Sequence, residues 1–419
     1  MSDYSFIKEV VKEKPINKKA FFTKVVFIIL GAVLFGVIAA VTFVNVLPQA
    51  AKSFINENES PQLNIEDEQP PEGGSGVSAG TEGEEEEEDP QVIEVPAELG
   101  LSDYKQFYQD MVEASQNASK SVVTVAGITD NMDWFNNSYE NQSQISGMII
   151  ANTSQELFIL TEYRGVENAD RIQVTFWNGT SVEAVYQKHD PNTGLCILRT
   201  AAADIDSSTF STLVTAPLGS SYSVRQGDPI MALGSPMGYS DSIAFGMLTS
   251  VSNKVSEWDR DYTVLTTDIV GTQEGSGVLL NLDGEIIGVI MQGYASGSNM
   301  ITCLGVSEIT DLIESLSNNS ERPYIGIRGQ DVTAETAERT GLPAGVYVSE
   351  VQVDSPAMVA GLMNGDVIVG MDGETIETLS EYTRMLGKLD PNTAVRLTVM
   401  RQGAEGYTEI VFDVTVGAL

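Results

Sequence analysis

An uncharged apolar stretch near the N-terminus limits most strongly what this chain can fold into. No charged residue occurs between Lys24 and Lys52, and the 23 residues of segment 25–47, VVFIILGAVLFGVIAAVTFVNVL, are almost wholly apolar. At about 1.5 Å per residue they form a helix of roughly 35 Å, which is enough to cross a hydrocarbon core of about 30 Å. A buried core helix rarely needs so long an apolar run, and a cleaved signal peptide has an apolar region of only about 7–15 residues. The run therefore predicts an uncleaved transmembrane helix.

The residues on either side of this segment predict its orientation. Six lysines and only three acidic residues occur in 1–24, and an excess of lysine marks the cytoplasmic side of a membrane span. Residues 48–101 contain the acidic run EEEEED and too few large apolar side chains to offset the entropy of ordering. We therefore expect a cytoplasmic segment 1–24, one transmembrane helix 25–47, a disordered acidic linker 48–101 and extracytoplasmic domains after it, in a single-pass protein of the cell membrane.

The composition excludes several classes of function. The 59 acidic residues outnumber the 23 basic ones and give a formal net charge of -36, which disfavours nucleic acid as a partner because its phosphates require cationic groups. His189, Cys196 and Cys303 are the only His and Cys residues, so they cannot supply the four ligands of a usual structural zinc site. We expect no metal and no cofactor. The two cysteines allow one disulfide, but two unpaired core thiols are the favoured interpretation.

Short β-like runs follow one another at close intervals from Ser121 onward. Before them, Ser102 is the predicted N-cap of a helix, since the next stretch, DYKQFYQDMVEASQNA, has apolar side chains at helical spacing. Asn178–Gly179 and Asp283–Gly284 indicate hairpin turns. The β-like runs are SVVTVAGI, SGMIIAN, LFILT, RIQVTFW, SVEAVYQ, LCILRT, PIMALG, IAFGMLTSV, TVLTT, SGVLLN and EIIGVIMQG. By themselves, these runs predict a large antiparallel barrel or sandwich.

Four blocks of sequence are more specific than this general pattern. In chain order they read LFILTEYRGVENADRIQVTFWNGT, DPNTGLCILR, LGSPMG followed by AFGMLTSV, and TTDIVGTQEGSGVLLNLDGEIIGV. In their order and spacing they closely resemble the HtrA/Deg family of trypsin-like serine proteases, over about residues 105–318. The resemblance implies a mainly β chain in which 102–320 forms two six-stranded β-barrels with an active-site cleft between them. It also implies a possible homo-trimer, because the family commonly forms trimers through this module.

The C-terminal residues 321–419 resemble the α+β PDZ domain that follows the protease in the same family. The matching motifs are YIGI at Tyr324–Ile327, SPA at Ser355–Ala357, AGL at Ala360–Leu362 and GDVI at Gly365–Ile368. Such a module accepts a peptide as an added strand and holds its terminal carboxylate with backbone N–H groups of the YIGI turn. The expected peptide-binding residues lie in this turn and on a later helix, where some are expected in the groove and others in the core. They are Tyr324, Ile325, Gly326, Ile327, Leu379, Tyr382, Thr383 and Leu386.

The expected catalytic positions depart from the family pattern. Serine proteolysis needs a hydroxyl nucleophile, an imidazole base, a carboxylate that orients the base, and amide donors for the oxyanion. The family histidine occurs in a pattern like LTNNHVV, whereas this chain has LTEYRGV, which places Arg164 there. Arginine has no acceptor lone pair and cannot act as the base. The orienting aspartate belongs to a pattern like DPxTDLAxL, and DPNTGLCIL places Gly194 at that position.

The position of the nucleophile is ambiguous. The family pattern GNSGGP followed by LxNxxG corresponds to EGSGVLLNLDG, which is one residue shorter. Counting forward from TTD places Ser276 at the nucleophile, whereas counting back from NLDG places Gly275 there. His189 lies far along the chain from the family's base position, and its interpretation is a surface histidine. A lysine base for Ser276 is chemically feasible, but no lysine is marked by its spacing.

These observations favour a pseudoprotease that binds peptides, unfolded extracytoplasmic proteins or protein C-termini through its PDZ domain, in envelope protein quality control or scaffolding. The first alternative is an active serine endopeptidase that uses Ser276 with a non-standard base. The second is a structural scaffold whose PDZ groove is empty or filled by the chain itself. Whether the chain is an enzyme therefore remains open at the level of sequence.

Overall fold

The computed structural model describes residues 100–132, 138–295 and 297–419. The predicted cytoplasmic segment, the transmembrane helix 25–47 and the linker up to residue 99 lie outside these described residues. Among the helices that are described, none combines the length and the apolar character needed to cross a bilayer. All described residues belong to one compact unit, so contacts between its domains can be followed directly.

The described chain begins with a helix that leads directly into the first barrel. Helix α1 (Leu101–Ser121) starts after Gly100, whose extended backbone provides the N-cap and whose N–H donates to Oδ2 of Asp103 at 2.9 Å. The prediction of Ser102 as the N-cap was wrong, because Asp103 reaches back to Gly100 and the helix starts one residue before Ser102. An acidic side chain is favourable in the first turn because helix N-termini carry partial positive charge.

The first barrel closes in the strand order β1-β2-β3-β6-β5-β4. Its six strands are antiparallel to their neighbours, and β1 pairs with both β2 and β4 to complete the closure. The predicted Asn178–Gly179 turn joins β4 to β5, with Gly179 at φ +83°. The strands are β1 (Val122–Met132), β2 (Ser138–Asn152), β3 (Glu156–Glu162), β4 (Arg171–Thr175), β5 (Ser181–His189) and β6 (Leu195–Ala201).

The second barrel repeats this architecture in the order β10-β11-β12-β9-β8-β7. A short helix, α2 (Ser207–Phe210), lies between the barrels in sequence, and helix α3 (Thr310–Ser317) follows the second one. The predicted Asp283–Gly284 turn lies between β10 and β11. The strands are β7 (Pro229–Ser235), β8 (Ser242–Glu257), β9 (Arg260–Val270), β10 (Ser276–Leu280), β11 (Ile286–Met291) and β12 (Met300–Gly305).

Separate apolar cores fill the two barrels, and a third cluster joins them. Cys196 belongs to the core of the first barrel and Cys303 to that of the second. Both are free and buried, which confirms the predicted unpaired thiols. Burial raises the pKa of Cys196 to about 12 and also raises the pKa of Cys303, so neither forms a reactive thiolate at neutral pH. The joining cluster includes Met148 of the first barrel, Leu233 of the second and Leu312 of α3, which fixes the cleft between the barrels.

The C-terminal domain has the predicted α+β character. Its main sheet runs β14-β15-β16-β18-β19 with β17 on β16, and β13 pairs with β20 beside it. Its apolar core lies between this sheet and its helices. The strands are β13 (Pro323–Tyr324), β14 (Ile327–Val332), β15 (Gly345–Val351), β16 (Val367–Met371), β17 (Glu374–Thr375), β18 (Ala394–Gly403), β19 (Gly406–Thr415) and β20 (Gly417–Ala418). The helices are α4 (Ala334–Thr340), α5 (Pro356–Ala360) and α6 (Leu379–Leu386). The mainly β fold of two barrels and a PDZ-like domain is confirmed.

Candidate functional site

Arg164 lies where β3 ends and the chain turns toward the second barrel. A 3₁₀ turn, Tyr163–Gly165, follows β3 and brings the guanidinium of Arg164 against the loop before β10. Nε and Nη2 donate to the two carboxylate oxygens of Glu162 at 2.8 and 2.9 Å, and Nη1 donates to Oε2 of Glu274 at 2.7 Å. Nη2 also donates to the carbonyl oxygen of Gly275 at 3.2 Å. Arg164 therefore lies next to one of the two candidate nucleophile positions as a fully engaged cation.

Glu162 is the buried partner in this network. Its side chain is only 9% exposed, against 35% for Arg164 and 84% for Glu274. Burial raises the pKa of the Glu162 carboxyl above its ordinary value, although the guanidinium of Arg164 acts in the opposite direction. An anion buried this far needs its partner, since an unpaired charge in a protein interior is strongly destabilising. The ion pair of Glu162 and Arg164 therefore stabilises the fold around the cleft, and it also occupies part of the cleft.

Gly194 lies beside the same turn. Its carbonyl oxygen accepts a hydrogen bond from the N–H of Tyr163 at 2.7 Å, and the neighbouring Leu195 pairs with Glu162 in the sheet. Gly194 has φ +74°, and no heavy atom lies within 4 Å of the position that a Cβ would take there. The structure thus brings the predicted base position and the predicted carboxylate position together, but their occupants offer neither an imidazole nor a carboxylate.

Ser276 is the first residue of β10 and is 1% exposed. Its Oγ accepts a hydrogen bond at 2.8 Å from the backbone N–H of Ser146, which belongs to the first barrel. In the part of the chain that the structure describes, no lysine or histidine side chain is hydrogen-bonded to this hydroxyl. Nucleophilic serines are activated by an adjacent base within hydrogen-bond reach. The observed contact instead joins the two barrels.

Gly275, the second candidate position for the nucleophile, has no room for a side chain. A Cβ at this residue would clash with the carbonyl oxygen of Pro236 and would lie 2.9 Å from that of Thr272. The loop that is one residue short in sequence therefore runs close to Pro236. Introducing a serine at this position by simple substitution requires the backbone to move.

His189 belongs to an aromatic cluster on the first barrel. Its ring stacks on Tyr163 with centroids 3.9 Å apart, and its Nδ1 shares a hydrogen bond with the hydroxyl of Tyr186 at 2.6 Å. These contacts give His189 a packing role next to the turn that carries Arg164. No hydrogen bond joins it to Ser276 among the described residues.

In the PDZ-like domain, the predicted carboxylate-binding turn is occupied from within the chain. Backbone N–H groups of Ile325 and Gly326 donate to Oδ2 of Asp259 at 2.8 and 2.7 Å, and that of Ile327 donates to Oδ1 at 3.2 Å. The hydroxyl of Tyr382 donates to the same Oδ1 at 2.7 Å. Asp259 lies at the tip of the β8–β9 hairpin of the second barrel. The three expected N–H donors thus converge on a carboxylate, which is supplied by the protein itself.

The four predicted helix residues divide between groove and core. Leu379, Tyr382 and Leu386 are buried, whereas Thr383 is half-buried and donates from Oγ1 to the carbonyl oxygen of Asp259 at 2.7 Å. Tyr382 combines both locations, because its ring is fully buried and its hydroxyl reaches the groove. Tyr324 pairs in the short β13–β20 ladder and does not share the Asp259 contact.

Sequence reasoning missed the acidic partners of both regions. Only the structure shows that Glu162 and Glu274 bind Arg164, although Glu162 lies two residues before Arg164 in the sequence. Asp259 had a local signal, because Trp258 and Asp259 form a two-residue loop between two strands and aspartate tolerates the left-handed conformation that such loops need. Nothing in the sequence indicated that the tip of this loop reaches residues 325–327.

Two family models match this chain, one for each domain. The model for a trypsin-like peptidase domain matches residues 145–289, and that for a PDZ domain matches residues 323–411. A "Probable periplasmic serine endoprotease DegP-like" of Pseudomonas fulva (strain 12-X) is 30% identical over 273 residues, which is 63% of this chain and 54% of the relative. The corresponding Halomonas elongata protein is 31% identical over 274 residues, or 64% and 55% of the two chains. This chain therefore spans about half the length of these relatives.

Solved structures share the fold. "HtrA-type protease AlgW with decapeptide" superposes with a TM-score of 0.55 at 22% identity, covering 74% of this chain and 98% of that one. The serine endoprotease from Yersinia pestis gives a TM-score of 0.51 at 22% identity, with the same coverage. At such identities the likeness supports the fold, whereas the chemistry of the site depends on the residues described above.

Proposed function

Because this chain belongs to the HtrA/Deg family of trypsin-like serine proteases with a PDZ domain, we propose that it is a member without peptidase activity. Its function is then to bind peptides, unfolded extracytoplasmic proteins or protein C-termini through the PDZ domain. The curated relatives are named as periplasmic endoproteases. This chain then shares their architecture but uses it to bind proteins and not to cleave them.

One observation carries the proposal: the guanidinium of Arg164 lies against the loop before β10, bound to Glu162, Glu274 and the carbonyl of Gly275. A guanidinium cannot take a proton from a serine. Losing the nucleophile–base unit of a serine protease typically lowers turnover about a million-fold. The buried, barrel-linking hydroxyl of Ser276 supports the same conclusion, because a substrate cannot reach it in this arrangement.

The test compares the full-length wild-type chain with Ser276→Ala, with a triad-complete HtrA-type protease as the positive control. A fluorophosphonate probe is expected to leave both versions of this chain unlabelled, and both should degrade an unfolded protein substrate at the same background rate. Labelling or cleavage that depends on Ser276 would instead establish the alternative, an active endopeptidase with a non-standard base.

The location proposed for this binding activity is the outer face of the cell membrane, with residues 25–47 as the anchor. The apolar run and the lysines before it support this topology, and the periplasmic names of the relatives agree with extracytoplasmic domains. Alkaline phosphatase, which folds only outside the bacterial cytoplasm, provides the test. A fusion after residue 60 is expected to be active and one after residue 24 inactive; the reverse pattern would invert the topology.

A role in envelope quality control or scaffolding follows if the PDZ domain presents bound chains near the membrane. The homo-trimer implied by the family is proposed for the same module. Sedimentation of the detergent-solubilised full chain distinguishes a trimer from a monomer, because the protein mass in the complex is three times or one times 45.1 kDa.

A further inference from the structure

The hairpin between β8 and β9 extends from the second barrel into the PDZ groove. Its two-residue loop is Trp258–Asp259, and Glu257 pairs with Arg260 at its base. Asp259 has φ +63°, a left-handed conformation that aspartate tolerates better than most residues. This conformation turns the carboxylate of Asp259 toward the N–H groups of residues 325–327, where it is 5% exposed.

The backbone of Asp259 engages the groove as closely as its side chain does. Its N–H donates to the carbonyl oxygen of Ile327, the first residue of β14, at 2.7 Å, and its carbonyl oxygen accepts from Thr383 Oγ1 of helix α6 at 2.7 Å. A peptide that adds to a PDZ sheet uses the same elements, since it pairs its backbone with the strand and places its terminal carboxylate on the loop. Asp259 alone therefore makes both the backbone pairing and the carboxylate contacts that the C-terminus of a bound peptide would make.

Contacts beside the loop hold the hairpin in place. The guanidinium of Arg328, on β14, lies 4.4 Å from the centroid of the Trp258 ring, which is within the range of a cation–π interaction. Nη2 of Arg328 also lies 3.4 Å from Oε2 of Glu257, whose side chain is 14% exposed. Glu257, Trp258 and Asp259 thus all contact the PDZ domain, and the interaction does not depend on one hydrogen bond.

We propose that Asp259 is a built-in competitor for the PDZ groove, so that a ligand must carry a free C-terminal carboxylate and must displace the β8–β9 hairpin in order to bind. This inference rests on the proposed peptide-binding function and adds its regulation. The N–H groups of residues 325–327 cannot serve Asp259 and a ligand carboxylate at once. Ligand binding and the contact between barrel and PDZ domain are therefore mutually exclusive, and the observed affinity is lowered by the fraction of molecules that are closed.

The experiment uses the full-length chain in detergent and a pool of fluorescent heptapeptides with randomised last four positions. One half of the pool ends in free carboxylates and the other half in carboxamides. Asp259→Asn keeps the shape and the left-handed preference of the residue but removes its charge, and Asp259→Gly keeps only the backbone conformation. Asp241→Asn is the matched control, because Asp241 is an exposed aspartate with φ +56° just before β8.

If the proposal is right, both Asp259 variants bind the free-carboxylate pool at least about tenfold more tightly than wild type and the Asp241 control. The carboxamide pool should bind weakly to every version. Amide hydrogen exchange at residues 325–327 should accelerate in the Asp259 variants without peptide, since these N–H groups lose their acceptor. A normal circular dichroism spectrum and a cooperative melt for each variant show that the gain does not arise from unfolding.

Two other outcomes separate this inference from the proposed function. Equal, measurable affinity of wild type and both Asp259 variants, with unchanged amide exchange, overturns the competitor role and leaves peptide binding standing. Faster exchange in the Asp259 variants without binding of either peptide pool supports occupation of the loop by Asp259 and overturns peptide binding as the function of the groove.

Discussion

The inter-barrel cleft and the PDZ loop are both occupied by a charged side chain of the same chain, but the two sites differ in what remains of their machinery. In the cleft, Arg164 is the residue proposed to stand at the family's base position, and its guanidinium is held by Glu162 and Glu274. In the PDZ loop, the three N–H donors of residues 325–327 are present and converge on Asp259.

Under the proposed function, this difference separates a site without the groups needed for proteolysis from a binding site that is occupied by the chain itself. No movement of the hairpin or the loops gives Arg164 an acceptor lone pair, so Arg164 cannot become a general base. Under the proposed competitor role, the PDZ loop can bind a ligand carboxylate as soon as Asp259 leaves it. Four substitutions test this comparison through the free energy of unfolding.

The largest effect is expected from Arg164→Ala, which leaves the buried Glu162 without its partner. Removing one member of a buried pair costs about 3–5 kcal/mol, and we expect about 3 kcal/mol because Arg164 is itself 35% exposed. Chemical denaturation at pH 8 measures the loss. The control is Arg171→Ala, whose ion pair with Asp130 is exposed on both sides and should contribute less than about 1 kcal/mol.

The pH dependence of this loss identifies its cause. Burial already raises the pKa of Glu162, and removing Arg164 takes away the interaction that lowers it. A carboxyl with a higher pKa in the folded state than in the unfolded state binds a proton preferentially on folding, so stability falls as the pH rises through the folded pKa. The loss of unfolding free energy caused by Arg164→Ala should therefore be smaller at pH 5 than at pH 8. Adding Glu162→Gln to the Arg164→Ala variant should remove most of this loss. An equal loss of unfolding free energy at both pH values would contradict a Glu162 that is left buried without a partner.

Gly275→Ser should be the next most damaging substitution. The new side chain clashes with the carbonyl oxygen of Pro236, and overpacking of this kind costs about 1–3 kcal/mol; we expect about 2 kcal/mol. Gly194→Ser is the control, because no heavy atom lies within 4 Å of the Cβ position there and only the positive φ opposes it. Equal losses of unfolding free energy for the two variants would show that the shortened loop adapts to a serine.

The sequence predicted the mainly β fold of two barrels and a PDZ-like domain well because its signals are local or repeated. The runs that form β1 to β11, the turns at Asn178–Gly179 and Asp283–Gly284 and the YIGI turn all depend on neighbouring residues, whereas β12 was not predicted. The contacts that fill the two sites join residues far apart in sequence: Arg164 meets Glu274, and Asp259 meets Ile325. The loop that is one residue shorter than the family pattern also left both Ser276 and Gly275 as candidates for the nucleophile position, and the packing around each of them could not be read from the sequence.

A smaller effect is expected when the PDZ loop loses its internal carboxylate. Asp259→Asn weakens charge-assisted hydrogen bonds that the loop and Tyr382 donate, but under the proposed competitor role the hairpin can leave the groove and let water reach these groups. We expect a loss of about 1.5 kcal/mol in unfolding free energy, below that of Arg164→Ala. A Thr383→Val variant keeps the carboxylate contact and removes only the bond to the Asp259 carbonyl, so it should lose less. A loss for Asp259→Asn as large as that for Arg164→Ala would mean that the loop depends on its occupant as much as the cleft does.

The smallest effect is expected from Ser276→Ala, which tests whether this hydroxyl is now a structural group. The substitution leaves the N–H of Ser146 without its acceptor at the contact between the barrels, and such a loss costs about 1 kcal/mol. A stabilised Ser276→Ala would instead resemble a catalytic serine kept at the expense of stability. Ser276→Thr retains an acceptor but adds a methyl group to a site that is 1% exposed, so it should be less stable than Ser276→Ala if packing between the barrels governs this position. We expect thermal denaturation to order the three chains, from most to least stable, as wild type, alanine and threonine, because the Ser276 hydroxyl links the two barrels and is tightly packed.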